Sequence, residues 1–293
     1  MKRIGYLIIF LLLLTGCSTK KYLPKIFNPD MAKINVNQTT LYYEKAGKGI
    51  PIIFIHGFGL DTRMWDPQFE TFAHKYTVIR YDLRGFGQSA LPDEAVMYTH
   101  HEDLNSLLKE KGISKAILAG LSLGGRVAAS FALTYPDQVL GLILIDSVLE
   151  GYAMKDYKMD YIYEEAKKDI SGALKLWLAH PTFEATHKNA EVSEYLNKIV
   201  LDYSGWHFIH KNPLIPLKPP CKERLHEIKV PALILVGEHD LPDFQDIANM
   251  LDQNIPNSEL HIIPDAGHMS NMEQPSVVNK LMQEFINQKI KDN

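Results

Sequence analysis

Short apolar runs rich in β-branched residues alternate with helical patterns along most of the chain. The strand-like runs include residues 51–55, 115–119, 142–145, 230–236 and 260–263. Short strands separated by helical segments are typical of a parallel sheet whose strands are joined by helices. The pattern therefore predicts one large α/β domain with a mostly parallel central sheet and helices on both faces.

The alternation is interrupted between residues 150 and 223. This stretch is helical in pattern, rich in Tyr, Trp and Lys, and ends in the Pro-rich segment 212–220. We therefore predict a helical insertion at 150–223. It divides the core into a first part at 39–149 and a second part at 224–293.

The N-terminus has the pattern of an export signal. Lys2 and Arg3 precede an apolar run at 6–14 that is too short to span a bilayer, and Leu-Thr-Gly-Cys follows at 14–17. A basic start, a short apolar run and small residues are typical of a secretory signal peptide. An ordinary cleaved signal and an uncleaved anchor remain the alternatives.

The Leu-Thr-Gly-Cys ending resembles the bacterial lipobox. The resemblance implies that residues 1–16 are a lipoprotein signal peptide and that Cys17 carries the lipid, with acyl chains such as palmitate. Several buried acyl chains anchor a protein stably to a membrane. Residues 17–38, with little periodicity, are then expected to be a tether in the bacterial cell envelope. Whether the inner or the outer membrane holds the anchor stays open.

Charge and cysteine content argue against two classes of protein, those that bind nucleic acid and those built on disulfide bonds. The chain of 293 residues has a net charge of −4, and its first 16 residues contain two basic residues and no acids. Removing them makes the protein more acidic, which argues against a nucleic-acid partner. Only Cys221 would remain as a free thiol beside a lipidated Cys17, so no disulfide framework is expected.

The strongest chemical signal is Gly-Leu-Ser-Leu-Gly at residues 120–124. It lies between the strand-like run 115–119 and a helical pattern at 126–133. Ser122 is therefore predicted to sit on a sharp strand-to-helix turn, where glycines are needed because the two backbones pass too close for a Cβ atom. This is the environment of a serine nucleophile.

Two further side chains complete a candidate catalytic triad. Asp240 and His268 each follow a strand-like run, at the edge where parallel sheets bind ligands. His268 would take the proton of Ser122, and Asp240 would orient His268. Asp146 also follows a strand-like run and is the rival for the role of the acid.

An acyl-transfer site also needs two N–H donors for the oxyanion. We expect them to be the backbone amides of Leu123, directly after the serine, and of Phe58, in the loop after the early strand-like run.

The sequence predicts no metal and no cofactor. His-His-Glu at 100–102 is better explained as a helix start, because Thr99 and the glutamate match a capping box. His207 and His210 have helical spacing, but no Cys or carboxylate cluster accompanies them. Gly-Phe-Gly at 85–87 lacks the third glycine of a dinucleotide loop.

With these residues in this order, the chain resembles the α/β-hydrolase superfamily over about residues 39–291. More narrowly, it is similar to the esterases, lactonases and cofactor-free haloperoxidases that carry a helical cap. Besides the serine motif, the resemblance rests on His-Gly-Phe-Gly at 56–59, Asp-Leu-Arg-Gly-Phe-Gly-Gln-Ser at 82–89, Gly-Glu-His-Asp at 237–240 and Ala-Gly-His at 266–268. These motifs specify the fold and a serine triad, not a substrate.

The resemblance implies several roles. Serine at position 122 argues against the haloalkane dehalogenase and epoxide hydrolase branches, which have aspartate there. His56 is expected to shape the oxyanion loop, and Asp82 and Arg84 to brace a loop by pairing. The insertion at 150–223 is expected to cap the active site.

The functional expectation is a membrane-anchored serine hydrolase that cleaves small carboxylic esters, with an apolar acyl or alcohol part, through an acyl-enzyme. One alternative keeps the triad but performs acyl transfer, perhydrolysis or carbon–carbon bond hydrolysis. Another is a lipoprotein that binds a ligand without turnover. The oligomeric state and the natural substrate stay open.

Overall fold

The computed structural model describes residues 29–290. Within this range the strands form one eight-stranded sheet in the order β1-β2-β4-β3-β5-β6-β7-β8. The strands are β1 (Asp30–Val36), β2 (Thr39–Ala46), β3 (Pro51–Ile55), β4 (Thr77–Tyr81), β5 (Ala116–Leu121), β6 (Val139–Ile145), β7 (Ala232–Gly237) and β8 (Ser258–Ile263). β2 pairs antiparallel with β1 and β4, and all other pairs are parallel. The predicted fold class is confirmed.

Helices connect the strands and cover the sheet. The α-helices are α1 (Asp66–Phe72), α2 (His100–Glu110), α3 (Leu123–Thr134), α4 (Asp160–Ala166), α5 (Ile170–Leu178), α6 (Ala190–Leu201), α7 (Trp206–Ile209), α8 (Cys221–Arg224), α9 (Pro242–Asn254), α10 (Ser270–Glu273) and α11 (Pro275–Lys289). Every residue of β5 and β7 is buried. Because successive side chains of a strand point to opposite faces, both faces of the sheet are covered there.

The insertion between β6 and β7 carries α4 to α8. It packs onto the loop after β3, where Phe58 contacts the rings of Trp177, Tyr203 and Phe208 at centroid distances of 6.1, 6.1 and 5.6 Å. An ion pair of 2.7 Å joins Arg63, near the same loop, to Asp202 at the end of α6. The helical segment therefore lies over the edge at which the parallel strands end.

The N-terminal boundary differs from the expectation. Residues 30–36, placed by the sequence in the tether at 17–38, form β1 and pair with β2 along its whole length. The strand lies at the sheet edge and most of its side chains are exposed or half-buried. Such a strand needs no continuous apolar run, which is why its pattern is weak. The other domain boundaries stay predictions.

The predicted signal peptide, Cys17 and the first part of the tether lie outside the described residues. In the part of the chain that the structure describes, no helix has the length and apolar character needed to cross a bilayer.

Candidate active site

Ser122 is the single residue between β5 and α3. Its backbone angles are φ 54° and ψ −114°, a conformation rare for a residue other than glycine. A Cβ atom on Gly120 would lie 2.2 Å from the carbonyl oxygen of Gly124, and one on Gly124 would lie 2.0 Å from that of Ile55. Both glycines are therefore required by close backbone approach, and the turn holds the Ser122 side chain at the N-terminus of α3.

The two expected oxyanion donors are available. Leu123 is the first residue of α3, so its N–H has no acceptor within the helix. Neither this N–H nor that of Phe58 donates a hydrogen bond to any of residues 29–290. The N–H of Gly57, by contrast, points to the Met64 sulfur at 3.4 Å. Two free amides near Ser122 can stabilise an oxyanion.

His56 braces the loop that carries Phe58. Its Nδ1 lies 2.8 Å from the carbonyl oxygen of Gly57, and its Nε2 accepts the N–H of Leu83 at 2.9 Å. Because the backbone N–H of Leu83 can only donate, His56 Nε2 must be the unprotonated acceptor, and Nδ1 carries the ring proton. Burial lowers the pKa of His56 to about 4, so the ring is neutral. The side chain therefore joins the loops after β3 and β4 and has no nitrogen left for a substrate.

Asp240 and His268 meet at the ends of β7 and β8. His268 Nδ1 lies 2.8 Å from Asp240 Oδ2, and Asp240 Oδ1 accepts the N–H of Leu241 at 2.7 Å. Both side chains are buried, and the ring of Phe244 packs on His268 at 4.1 Å between centroids. The bond to Asp240 puts the proton on Nδ1 of a neutral His268, which leaves Nε2 free to act as a base.

Ser122 and His268 lie at the same edge of the sheet but do not form a hydrogen bond with each other. The Ser122 hydroxyl makes no hydrogen bond with any described side chain or backbone group. In enzymes without substrate, the bond between a nucleophile and its base is often long or poorly aligned, and it tightens when the substrate binds.

Asp146, the rival acid, is fully engaged elsewhere. Its Oδ1 accepts the N–H of Gly237 at 2.8 Å, and its Oδ2 accepts the Ser270 hydroxyl at 2.6 Å. These bonds join the ends of β6 and β7 to the start of α10. Burial and the neighbouring charge of Asp240 raise its pKa well above the usual value. No hydrogen bond joins Asp146 to His268 in the described chain, so Asp240 has the geometry of the orienting acid.

Asp82 and Arg84 stabilise loops, but with different partners. Arg84 forms a buried ion pair of 2.7 Å with Asp103 of α2. Asp82 accepts the N–H groups of Thr62 and Gln88, each at 2.8 Å. The expected bracing is present, while the two residues are not paired with each other.

A cavity of about 260 Å³ opens beside Ser122, between the core and the insertion. Its apolar wall comes from both sides, and Tyr157 and Tyr163 of the insertion contribute their rings. The lining residues are Phe58, Phe86, His100, Ser122, Leu123, Arg126, Val148, Tyr157, Met159, Tyr163, His207, Asn212 and Leu214. The sequence did not single out Arg126; its one available signal was the spacing of four residues from Ser122 on a predicted helix.

Most of the histidines that were considered as metal ligands lie in a capped helix start or beside a tyrosine hydroxyl. The Thr99 hydroxyl caps α2 by accepting the N–H of Glu102 at 3.1 Å. His207 Nδ1 lies 2.8 Å from the Tyr203 hydroxyl. One exposed group that sequence reasoning missed, Glu238, His239 and Asp265, has its ligand atoms within 4.8 Å of one another. Exposed groups of this kind are common without a metal, so the expectation of no metal stays a prediction.

Comparison with known proteins places this geometry among hydrolases. A family profile described as alpha/beta hydrolase fold matches residues 50–275. The chain is 30% identical over 260 residues to the AB hydrolase superfamily protein YisY of Bacillus subtilis, which covers 85% of this chain and 96% of that protein. It is 27% identical over 256 residues to the pimeloyl-[acyl-carrier protein] methyl ester esterase of Legionella pneumophila, covering 84% and 99%.

A solved structure of an esterase also resembles this chain. The chain superimposes on a thermophilic esterase from Thermogutta terrifontis, solved with malate bound, with a TM-score of 0.74 and 28% identity. The match covers 89% of this chain and 99% of that esterase.

Proposed function

We propose that this chain, which belongs to the α/β-hydrolase fold family, hydrolyses carboxylic esters through an acyl-enzyme on Ser122. The observation that carries the proposal is the strained serine at the start of α3, on the same sheet edge as the buried Asp240–His268 pair. A serine on such a turn, with a histidine base oriented by an acid, is the machinery of acyl transfer.

Each group has one role in the proposed reaction. His268 Nε2 takes the proton of the Ser122 hydroxyl as its oxygen attacks the ester carbonyl. The amides of Leu123 and Phe58 stabilise the oxyanion. His268 then gives the proton to the leaving alcohol, while Asp240 stabilises the imidazolium. A water molecule, deprotonated by His268, releases the acid and restores Ser122.

The substrate class is supported by the cavity and by the relatives. The mostly apolar wall fits the hydrocarbon part of a small ester. The Legionella relative is a methyl ester esterase and the Thermogutta neighbour is an esterase. Because these proteins are less than 30% identical to this chain, they support ester cleavage without fixing the natural substrate.

We expect the purified protein to hydrolyse p-nitrophenyl esters of short acyl chains and to be labelled by a fluorophosphonate probe. Turnover across a series of acyl-chain lengths, in water and with added alcohol or hydrogen peroxide, measures both preference and product. Products formed mainly with the added nucleophile would indicate acyl transfer or perhydrolysis. Folded protein that neither turns over nor takes the label would indicate a ligand-binding lipoprotein.

The pH profile should have an acid limb below the usual histidine range. Because only neutral His268 accepts a proton, kcat/KM rises as pH increases through its pKa. Burial lowers the pKa of His268 below its ordinary value of 6.5. The sequence alone suggests a midpoint of about 6–7; the structure lowers this expectation to below 6.5. A midpoint at or above the ordinary value of about 6.5 would contradict it.

We also propose that the protein is lipid-anchored in a bacterial envelope through Cys17. The support is the lipobox-like sequence at 14–17 and the short apolar run before it. Full-length protein expressed in bacteria should incorporate labelled palmitate and sediment with membranes, and Cys17→Ser should lose both properties because the thioether needs the thiol. A chain beginning at Ser18 should be soluble and active. Mass spectrometry that finds unmodified Cys17 on membrane-bound mature protein would contradict the anchor.

A further inference from the structure

Arg126 differs from the other arginines of the described chain. Four of these five arginines form ion pairs with carboxylates, namely Arg63 with Asp61, Arg80 with Glu44, Arg84 with Asp103 and Arg224 with Glu227. Arg126 makes no ion pair and no side-chain hydrogen bond with any residue between 29 and 290. A guanidinium has five N–H donors and stays charged at every physiological pH. Its charge and its donors are therefore available to a ligand.

Arg126 shares a cavity with the proposed nucleophile. Arg126 follows Ser122 by four residues, and its backbone N–H donates to the Ser122 carbonyl oxygen at 3.2 Å. Ser122 is the N-cap residue of α3 and Arg126 lies in the first turns of that helix, so the two residues are about one helical turn apart. Both side chains line the cavity of about 260 Å³. A substrate whose carbonyl reaches Ser122 therefore places its remainder near Arg126.

The cavity contains nothing that balances the charge of Arg126. None of its lining residues is an Asp or a Glu. Its two histidines, His100 and His207, are buried, and burial lowers the pKa of both, so they are neutral. Each also has one ring nitrogen without a partner, His100 Nδ1 and His207 Nε2. The residues that line the mostly apolar cavity thus carry one full positive charge and two buried, unpaired ring nitrogens.

The carboxylate that influences Arg126 belongs to Glu150, which lines a small neighbouring pocket together with Arg126. Its negative charge raises the pKa of Arg126, while desolvation lowers that pKa by a larger amount. Glu150 uses its oxygens for the N–H of Leu217, at 3.2 Å, and for the thiol of Cys221, at 3.8 Å. It leaves the guanidinium unpaired. A partly buried charge without a partner is costly, and an entering anion removes that cost.

We infer that Arg126 binds a carboxylate carried by the substrate, so that the ester cleaved at Ser122 is one with a free carboxylate on its acyl or alcohol part. Carboxylate is the group that guanidinium matches with two parallel charge-assisted hydrogen bonds. The cavity wall holds the hydrocarbon part between the ester and the carboxylate. This inference rests on the proposed ester hydrolysis and names its substrate class.

Two pairs of esters that differ only in the carboxylate test the inference. Monomethyl adipate is compared with methyl hexanoate for the acyl part, and 4-(butanoyloxy)butanoate with butyl butanoate for the alcohol part. In at least one pair, we expect the wild type to favour the anionic ester about 10- to 100-fold in kcat/KM, the range of a charged hydrogen-bonded contact. Arg126→Met should abolish the preference, and Arg126→Lys should keep part of it.

Arg224→Gln is the matched control, because it removes the same charge from a surface ion pair and should keep the wild-type preference. Circular dichroism verifies that each variant is folded. Preference for the neutral ester in both pairs, or an anionic preference that survives in Arg126→Met, overturns the inference.

A binding measurement separates this inference from the proposed function. In a Ser122→Ala background, calorimetry should show that whichever anionic ester the wild type favours binds at least about tenfold more weakly after Arg126→Met. Unchanged binding overturns the role of Arg126. If instead no ester is cleaved and the fluorophosphonate does not label the wild type, the proposed hydrolysis fails. The calorimetric comparison, made with both anionic esters, then still decides whether Arg126 holds the carboxylate.

Discussion

Replacing Ser122 with alanine is expected to lower kcat/KM for ester substrates by about 10³-fold or more, as the loss of a nucleophile does in other triads. The hydroxyl is the atom that forms the acyl-enzyme, and no neighbouring side chain can replace it. The fold should persist, because the hydroxyl makes no hydrogen bond in the described structure and alanine places the same Cβ atom on the turn.

Ser130→Ala is the matched control for this substitution. Ser130 lies two turns further along α3, buried against the Cys221 sulfur at 3.3 Å. The Ser130→Ala variant should keep both ester turnover and fluorophosphonate labelling, whereas Ser122→Ala should lose both. Turnover of Ser122→Ala within about tenfold of the wild type would show that another residue is the nucleophile.

The local chemistry of the turn explains why so much of the fold could be predicted from sequence. Runs of β-branched residues, glycines at 120 and 124 and a helical pattern ending before Pro136 are all local signals. The structure extends both elements, so that β5 ends at Leu121 and α3 begins at Leu123. The expected element boundaries missed these residues because glycine has low strand and helix propensity, although here close backbone contact requires it.

Side-chain partners were much harder to predict, because they come from distant segments. Arg84 pairs with Asp103 of α2 rather than with Asp82. Asp243 is buried, and its carboxylate accepts the N–H groups of residues 155–157. It thereby holds the segment that places Tyr157 in the cavity wall. No local pattern specifies such contacts, since they depend on how the insertion packs.

The choice between the two candidate acids also depends on contacts that local sequence patterns do not specify. The sequence prediction chose Asp240 and kept Asp146 as its rival, because each follows a strand-like run at the same sheet edge. The structure distinguishes them through their partners. Asp240 contacts the His268 ring, whereas Asp146 holds Gly237 and Ser270. The roles therefore follow from the tertiary contacts of each carboxylate and not from residue type.

Asp240→Asn is accordingly expected to lower kcat by about 10³- to 10⁴-fold, with a much smaller change in KM. The asparagine amide can donate to His268 Nδ1, which favours the tautomer whose proton lies on Nε2. That nitrogen could then no longer accept the proton of Ser122, and the charge that stabilises the imidazolium would be gone.

Asp146→Asn is the matched change at the neighbouring strand end. It should lower kcat much less than Asp240→Asn does. Its Oδ1 can still accept the N–H of Gly237, but its amide cannot accept the Ser270 hydroxyl, so its main effect should be on stability. Thermal unfolding and kcat measured on both variants separate the two roles. If Asp146→Asn loses more turnover than Asp240→Asn while both remain folded, Asp146 is the acid of the triad. The milder variant should also keep an acid limb, because the Asp240–His268 contact is intact in it, but with a lower midpoint, because the charge of Asp146 raises the pKa of His268.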